Sequence, residues 1–562
     1  MASLEERWLP ASVFCLRDYS LNTFLHDLIA GVTVGLVALP LAMAFAIASG
    51  LTPQAGIYCA VVTGFLISAL GGSRTQIGGP TGAFVVVVAG IVAVHGVDGL
   101  FMCTMMAGVL LIVLEVTGMG TAVKFIPRPI VIGFTNGIAV LIASTQIKDF
   151  FGLKIDKVPG VFWLRMESIA ANFHTLSYAA TILGVGTLAI LLVCRAVSNR
   201  IPGPIVAMIA GTVAVAVFKL PVETIGTRFG GIPSGLPHFA IPHFRTDLIH
   251  GLLGPAFTVA MLGAIESLMS AVVADRMSND HHNPNVELVA QGVANVVAPM
   301  FGGLPATGAI ARTATNIRAG AKTPVAGIIH ALTLVCILLF AAPLTSYIPM
   351  AALAGILMVV AYNMGEWREI PQLLKLTKTD ISIWLVTFAL TVFADLTVAV
   401  EAGMILAALL FIGRVANTTT VSQVTDDYVE DGRVHILQDK DIPYYATIFR
   451  IHGPFLFGAT EVSTIIEKIH ELPPVVILRL RNMTAIDATG LFALEQVARE
   501  LHATKRTLIL CGAREQPAQL IRQAEFEDVI GRENICDNVQ AALRRAEDVF
   551  ERMENTAAAG AK

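Results

Sequence analysis

Between His26 and about Arg414, long apolar runs alternate with short polar breaks. The runs fall at about 27–49, 53–70, 80–94, 98–118, 127–147, 177–194, 203–219, 252–274, 286–300, 308–318, 324–342, 350–362, 380–394 and 397–413, fourteen in all. A helix needs about 20 apolar residues to cross a bilayer. Several runs approach that length and several are too short to span alone, which predicts a polytopic α-helical membrane domain. Further on the period changes. "ATIFRIHG", "VVILRL" and "TLILCG" read as strands, whereas "ATEVSTIIEKIHE", "TGLFALEQVARELHA" and "NVQAALRRAEDVFERM" read as amphipathic helices, giving a small α/β domain. The expected divisions are 1–25, an N-terminal segment; 26–416, the transmembrane domain; 417–443, a linker; 444–550, the soluble domain; and 551–562, a flexible tail.

Composition agrees with a bilayer. The 562 residues are 55% hydrophobic and 14% charged, against about a quarter charged in soluble proteins, and the mean hydropathy is +0.70. A net charge of −4, with no basic cluster or zinc-ligand spacing, argues against a nucleic-acid partner. The opening "MASLEERWLPASVF" is too polar for a cleaved signal peptide. Seven scattered cysteines lack a CxxC pair, and the two histidines of "DHHNPN" (280–285) are a weak metal signal, so neither metal nor cofactor is expected. GxSxG, HExxH and P-loop patterns are absent, so enzyme chemistry is not expected.

Basic residues set the orientation. With the N-terminus inside, Arg74, Lys124, Arg128, Arg195, Arg200, Arg276, Arg318, Lys322, Arg368, Lys375 and Lys378 share the cytoplasmic side, and Arg414 leads into a cytoplasmic soluble domain. Two loops oppose the rule: 148–160 holds three lysines and 220–250 two arginines, both outside. Asp149 and Asp156 partly offset the first.

Two breaks echo each other. "GGPTGAF" (78–84) resembles "GGLPATGAI" (302–310), and each is followed some forty residues later by an aromatic-Ile-Pro, at Phe125 and Tyr347. A single such segment is explained by Gly and Pro allowing close helix packing. The matched pair favours an inverted-repeat transporter whose site lies at the breaks. A helix starting inside a membrane leaves up to four backbone N–H groups without intrahelical acceptors. Each unmet group costs several kcal/mol in hydrocarbon, and the dipole favours an anion there by about 0.3–2 kcal/mol. Thr81 and Thr307 can cap or hydrogen-bond at the two entrances.

Arg312 follows the second break. An intramembrane arginine costs about 2.5–3.5 kcal/mol even on lenient scales, so it requires an anionic solute, a fixed acid or a wet vestibule, unless it snorkels to the cytoplasmic face. Glu266 lies deep in "AMLGAIESLMSAVVAD". Burial disfavours a charged carboxyl, which fits a proton carrier; a structural hydrogen-bond donor and a counter-ion to Arg312 are the alternatives.

"ELVAQGVAN" and "ARTATNIRAGAKTP", within 283–327, and the opening "DLIAGVTVGLVALPLAMAFAIASGL" (27–51) closely resemble the sulfate permease (SulP) family of anion transporters. The resemblance covers almost the whole chain. It implies fourteen helices in two inverted seven-helix repeats, divided into a mobile core and a gate that supports dimer contacts. It also implies half-length third and tenth helices whose N-termini face an anion. Carried over, the substrate-binding residues are Phe45, Thr81, Ala83, Phe84, Ala309, Ile310, Ala311 and Arg312, and Glu266 matches an acid linked to proton coupling in relatives. Some relatives place glutamine where Leu41 stands and many place serine where Ala311 stands, so recognition here leans on backbone amides and Arg312.

"GPFLFGA" and "RNMTAIDATG" resemble the STAS domain shared with anti-sigma-factor antagonists. The antagonists carry a phosphorylated serine in the regulatory loop. Here that loop reads Asp487-Ala488-Thr489-Gly490, so the acceptor is missing and Thr489 is expected to cap the next helix. The function so implied is proton-coupled symport of a small inorganic anion, sulfate first, across a bacterial cytoplasmic (inner) membrane. The chain is expected to be a homodimer among membrane lipids, with protons and a cytosolic STAS-binding protein as further partners. The rivals are an uncoupled exchanger or channel, a symporter of bicarbonate or C4-dicarboxylates, and a non-transporting scaffold or sensor.

Overall fold

The computed structural model describes residues 9–17, 19–117, 127–155, 158–198, 202–233, 235–394, 396–416, 418–423, 442–456, 465–466 and 468–560. Lys124, Phe125, Asp156, Arg200, Asp395, most of the linker 417–443 and most of "ATEVSTIIEKIHE" lie outside the described residues. Two compact units divide the chain, Met1–Ile405 and Leu406–Lys562. The division falls inside the last membrane helix, which runs across it from Leu396 to Ala416.

The membrane unit contains α1 (Leu21–Ala48), α2 (Pro53–Leu70), α3 (Gly82–Val116), α4 (Arg128–Phe151), α5 (Tyr178–Val197), α6 (Gly203–Phe218), α7 (Ile249–Ser278), α8 (Pro284–Val297), α9 (Ile310–Arg318), α10 (Val325–Phe340), α11 (Met350–Met364), α12 (Lys378–Phe393) and α13 (Leu396–Ala416). Gly96, at φ 71° and ψ −174°, breaks α3 into two arms. Thirteen elements among the described residues thus supply fourteen segments, seven before residue 220 and seven after, matching the fourteen runs. Local chemistry sets their ends: Ser20 accepts from the Thr23 amide to start α1, Asn283 accepts from Asn285 and Val286 to start α8, and left-handed Gly152 closes α4.

Close approach fixes part of the packing. A Cβ on Gly108 would lie 2.6 Å from the Gly292 carbonyl oxygen, and one on Gly292 would lie 2.7 Å from that of Gly108. The second arm of α3 therefore meets α8 backbone to backbone, as small residues permit between membrane helices.

Ahead of α3 and α9 run two short strands, β1 (Gly78–Gly79) and β2 (Thr307–Gly308), paired antiparallel. The antiparallel register brings the two following helices in from opposite directions. On the side expected outside, the contrary arginines are paired. Arg228 binds Asp149 at 2.6 Å and Glu223 at 2.6 Å, and Arg245 binds Asp247 at 2.7 Å. Burial works against the Arg228 charge, but the two carboxylates outweigh it and raise its pKa.

The second unit builds a five-stranded sheet in the order β3-β4-β5-β6-β7, from β3 (Thr420–Gln423), β4 (Ala446–Phe455), β5 (Val475–Ile486), β6 (Thr507–Cys511) and β7 (Ile535–Cys536). Only β3 runs antiparallel to its neighbour. The helices α14 (Ala488–Ala503) and α15 (Glu515–Gln523) cover one face through Leu494, Val497 and Ile521. On the other face, α16 (Val539–Gly560) buries Val539, Ala542, Ala546 and Val549. α16 continues into the expected tail through 551–560, where Glu, Met and Ala favour the helix.

Candidate functional site

The segments leading into the half-helices are held by side chains from α7, α8 and α9. Asn295 on α8 bonds Ala306 in both directions, each at 2.8 Å. Ser267 on α7 meets Thr307 Oγ1 at 2.6 Å, and Thr307 Oγ1 donates to the Gly263 carbonyl at 3.0 Å. Thr313 on α9 accepts from the Ile77 amide at 3.0 Å, while the Ala309 amide donates to the Ile77 carbonyl at 2.8 Å. The polar residues of these apolar helices thus satisfy extended backbone that would otherwise be orphaned inside a bilayer.

Neither entrance is capped by a side chain. Thr81 stands at the N-cap of α3 and Ala309 at that of α9, both without a side-chain cap bond. Of the two roles open to Thr81 and Thr307, capping or hydrogen-bonding at the entrances, both hydroxyls take the second. Thr81 Oγ1 donates to Glu266 Oε2 at 3.0 Å, and Thr307 serves α7. At α3 the Phe84 amide donates back to the Thr81 carbonyl at 3.3 Å, and at α9 the Thr313 amide donates to the Ala309 carbonyl at 2.8 Å. The amides of Gly82 and Ala83, and of Ile310, Ala311 and Arg312, have no carbonyl one turn earlier to receive them.

These helix starts open on a cavity of about 360 Å³. Phe45, Thr81, Ala83, Glu266, Ala309, Ile310, Ala311 and Arg312 all line it. Phe84 does not. It is fully buried with its ring toward Gly263 of α7, because consecutive helix positions diverge by about 100° and Ala83 takes the cavity side. The same cavity is lined by Ile130, Val131, Phe134 and Thr135 of α4, and by Val360, Asn363 and Met364 of α11 with Glu366 just beyond it; Met364 reaches the start of α3, its sulfur 2.7 Å from where a Cβ on Gly82 would lie. Sequence reasoning missed this wall. The polar Asn363 and Glu366 closing an apolar run were its one visible sign.

Arg312 is 2% exposed and does not snorkel. Its Nη2 donates to the Pro80 carbonyl just ahead of α3, and its Nη1 has no hydrogen-bond partner among the described residues. No carboxylate forms an ion pair with it among the described residues, so Glu266 is not its contact counter-ion. Gly79, at φ 150°, makes room for the guanidinium: a Cβ there would lie 2.4 Å from Nη1. The second break thus supplies the cation that braces the first.

In the soluble unit Asp487, not Thr489, caps α14. Its Oδ1 accepts from the Gly490 amide at 2.8 Å, while Thr489 is exposed in the first turn. The correction is geometric: Thr489 already lies inside the helix. In the "DHHNPN" turn, Asp280 pairs with Arg74 at 3.2 Å and His282 with Asp275 at 2.7 Å.

Two uncapped helix starts beside one walled cavity, within fourteen membrane segments, are the arrangement of a membrane transporter that holds its solute at broken helices. The chain belongs to the sulfate permease family, whose profile matches residues 24–387, and a STAS domain profile matches 436–542. It is 40% identical over 525 residues to YvdB of Bacillus subtilis (strain 168), named provisionally as a sulfate transporter, covering 93% of this chain and 98% of that one. The solved transmembrane domain of a cyanobacterium bicarbonate transporter, BicA, is 33% identical with a TM-score of 0.61, covering 68% of this chain and 98% of that one. Murine Slc26a9, an anion transporter solved in the inward-facing state, shares the fold at a TM-score of 0.85 and 18% identity, covering 98% of this chain and 95% of that one.

Proposed function

We propose that the chain is a secondary active transporter of a small oxyanion, sulfate first, coupled to protons through Glu266. The observation that carries the reading is the pair of uncapped helix starts, Thr81–Ala83 and Ala309–Arg312, opening on one cavity beside a buried guanidinium. Backbone amides and the two dipole ends favour a negative solute there. Phe45 and Leu41 close the cavity with apolar surface, so charge and size govern recognition more than directed side-chain bonds. Transport follows from relative motion of the wall carrying α1, α3, α7 and α9 against that carrying α4 and α11.

Glu266 joins the anion site to the proton. Its carboxyl touches Thr81, the residue that opens α3, so protonation and anion occupancy act on the same helix start. Sulfate is favoured by the likeness to YvdB, and bicarbonate is the second reading through the likeness to BicA. The chain works as a homodimer in a bacterial inner membrane with the STAS domain in the cytoplasm, where it meets a protein partner. Proteoliposome uptake with a counterflow panel of sulfate, bicarbonate, C4-dicarboxylates, chloride and nitrate, each with and without an inward proton gradient, tests the reading. Gradient-driven sulfate accumulation is expected. Flux of every anion indifferent to the gradient would make the protein an uncoupled exchanger or channel.

A further inference from the structure

The wall formed by α4 and α11 carries a carboxyl that the proposed transport cycle leaves unused. Glu366 follows the last turn of α11 and lines the cavity beside Asn363 and Met364. It is half-buried, and among the described residues no cationic side chain forms an ion pair with it. The nearby cation is committed elsewhere: Arg128, the first residue of α4, binds Glu369 at 3.0 Å. Arg128 is well exposed while Glu369 is largely covered, so the pair marks the solvent edge of this wall. Glu366 is instead turned to the space an anion must cross.

The charged groups around Glu366 are few. Arg128 acts on it from α4 and Glu369 from its own turn, while Glu266 and Arg312 face the same cavity from α7 and α9. Burial, the largest influence, pushes its pKa up, Arg128 pulls it down and Glu369 pushes it up again. Burial therefore holds the carboxyl's pKa above the ordinary glutamate value, against the pull of Arg128.

We propose that Glu366 is an electrostatic gatekeeper of the cavity, its carboxylate opposing anion passage at the mouth marked by Arg128 and its neutral form permitting it. The proposal rests on the anion-transport reading and adds a specificity-determining residue on the wall of α4 and α11. Repulsion of this kind acts over several ångströms and is weakened by salt, since the Debye length is about 8 Å at physiological ionic strength. Arg128 tempers the carboxylate, so its removal should strengthen the barrier more when Glu366 is present than when it is absent.

The test uses the full chain reconstituted in proteoliposomes, with sulfate as the probe and the Arg128 face addressed by substrate on that side. In the wild type, the apparent KM should fall as ionic strength rises and as pH is lowered from neutral, since protonation removes the Glu366 charge. Glu366→Gln should lower the KM at neutral pH about three- to tenfold and flatten the salt dependence, leaving only the pH dependence carried by Glu266, and Glu366→Asp should retain both. Arg128→Gln should raise the KM in the wild-type background and raise it less in Glu366→Gln, where only the freed Glu369 carboxylate remains. A Glu366→Gln protein with the wild-type KM, pH profile and salt dependence would overturn the gatekeeper, as would an Arg128→Gln effect undiminished in the double variant. A wild type without anion flux would instead remove the transport reading, which keeps the two failures apart.

Discussion

Gly79→Ala displaces Arg312 without deleting it. Gly79 sits at φ 150°, and an added Cβ would lie 2.4 Å from Arg312 Nη1, 3.1 Å from Cζ and 3.2 Å from Nη2. Ordinary contact begins near about 3.5 Å, so the guanidinium must retreat by about 1 Å or β1 must move. Either response loosens the bond from Nη2 to the Pro80 carbonyl and shifts Thr81, the start of α3. A hydrogen bond to a charged group contributes about 1.5–3 kcal/mol, and the backbone strain at Gly79 adds about 1–3 kcal/mol to the folding cost. At about 1.4 kcal/mol per decade, sulfate affinity should fall by about tenfold to a hundredfold. Calorimetry in detergent measures it, with a melting curve beside it. Gly186→Ala is the control, since its added Cβ meets nothing within 4 Å. A well-folded Gly79→Ala protein binding sulfate as the wild type does would refute the reasoning, because the brace between the two breaks would then carry no binding energy.

Four further outcomes follow from the same geometry. Glu266→Gln should transport equally with and without a proton gradient, whereas gradient-driven accumulation in that variant would take the proton role from Glu266. Thr81→Val removes the 3.0 Å bond to Glu266 and should lower coupled flux severalfold while leaving expression intact, measured as pH-driven uptake. Asp487→Ala should destabilise the STAS domain by about 1 kcal/mol through loss of the cap, read as a lowered melting midpoint, and Thr489→Ala should change it by less than about 0.5 kcal/mol. The Cys511 thiol is buried, with its pKa pushed up to about 12 by burial. It should stay unlabelled by maleimide at pH 8 until the domain is denatured, as mass spectrometry would show.

Much of the membrane domain was legible because bilayers demand apolar length. The fourteen runs became fourteen segments, and even the break at Gly96 separated the runs at 80–94 and 98–118. The two Gly/Pro segments were legible for a related reason: backbone that leaves the helix inside a membrane must have a purpose or a partner. What the sequence hid were the partners. A hydroxyl at a helix start can cap that helix or serve a neighbour, and only the fold decides that Thr81 turns to Glu266 and Thr307 to α7. Phe84 and Ala83 are adjacent in the chain but diverge across the helix, so the ring expected at the site packs behind it. The wall of α4 and α11 was illegible because its residues lie far from the breaks in sequence and meet them only in space. The charges that opposed the expected orientation also became intelligible only once Arg228 was seen between Asp149 and Glu223.

The central claim is that an anion sits between the starts of α3 and α9. Diffraction data collected at the selenium edge from crystals grown with selenate, a sulfate analogue with its own anomalous signal, test it most directly. The account predicts an anomalous peak within hydrogen-bonding reach of the Ala83 and Ile310–Arg312 amides, lost in Gly79→Ala crystals grown the same way. Fully occupied selenate elsewhere in the cavity, with none at the helix starts, would contradict it.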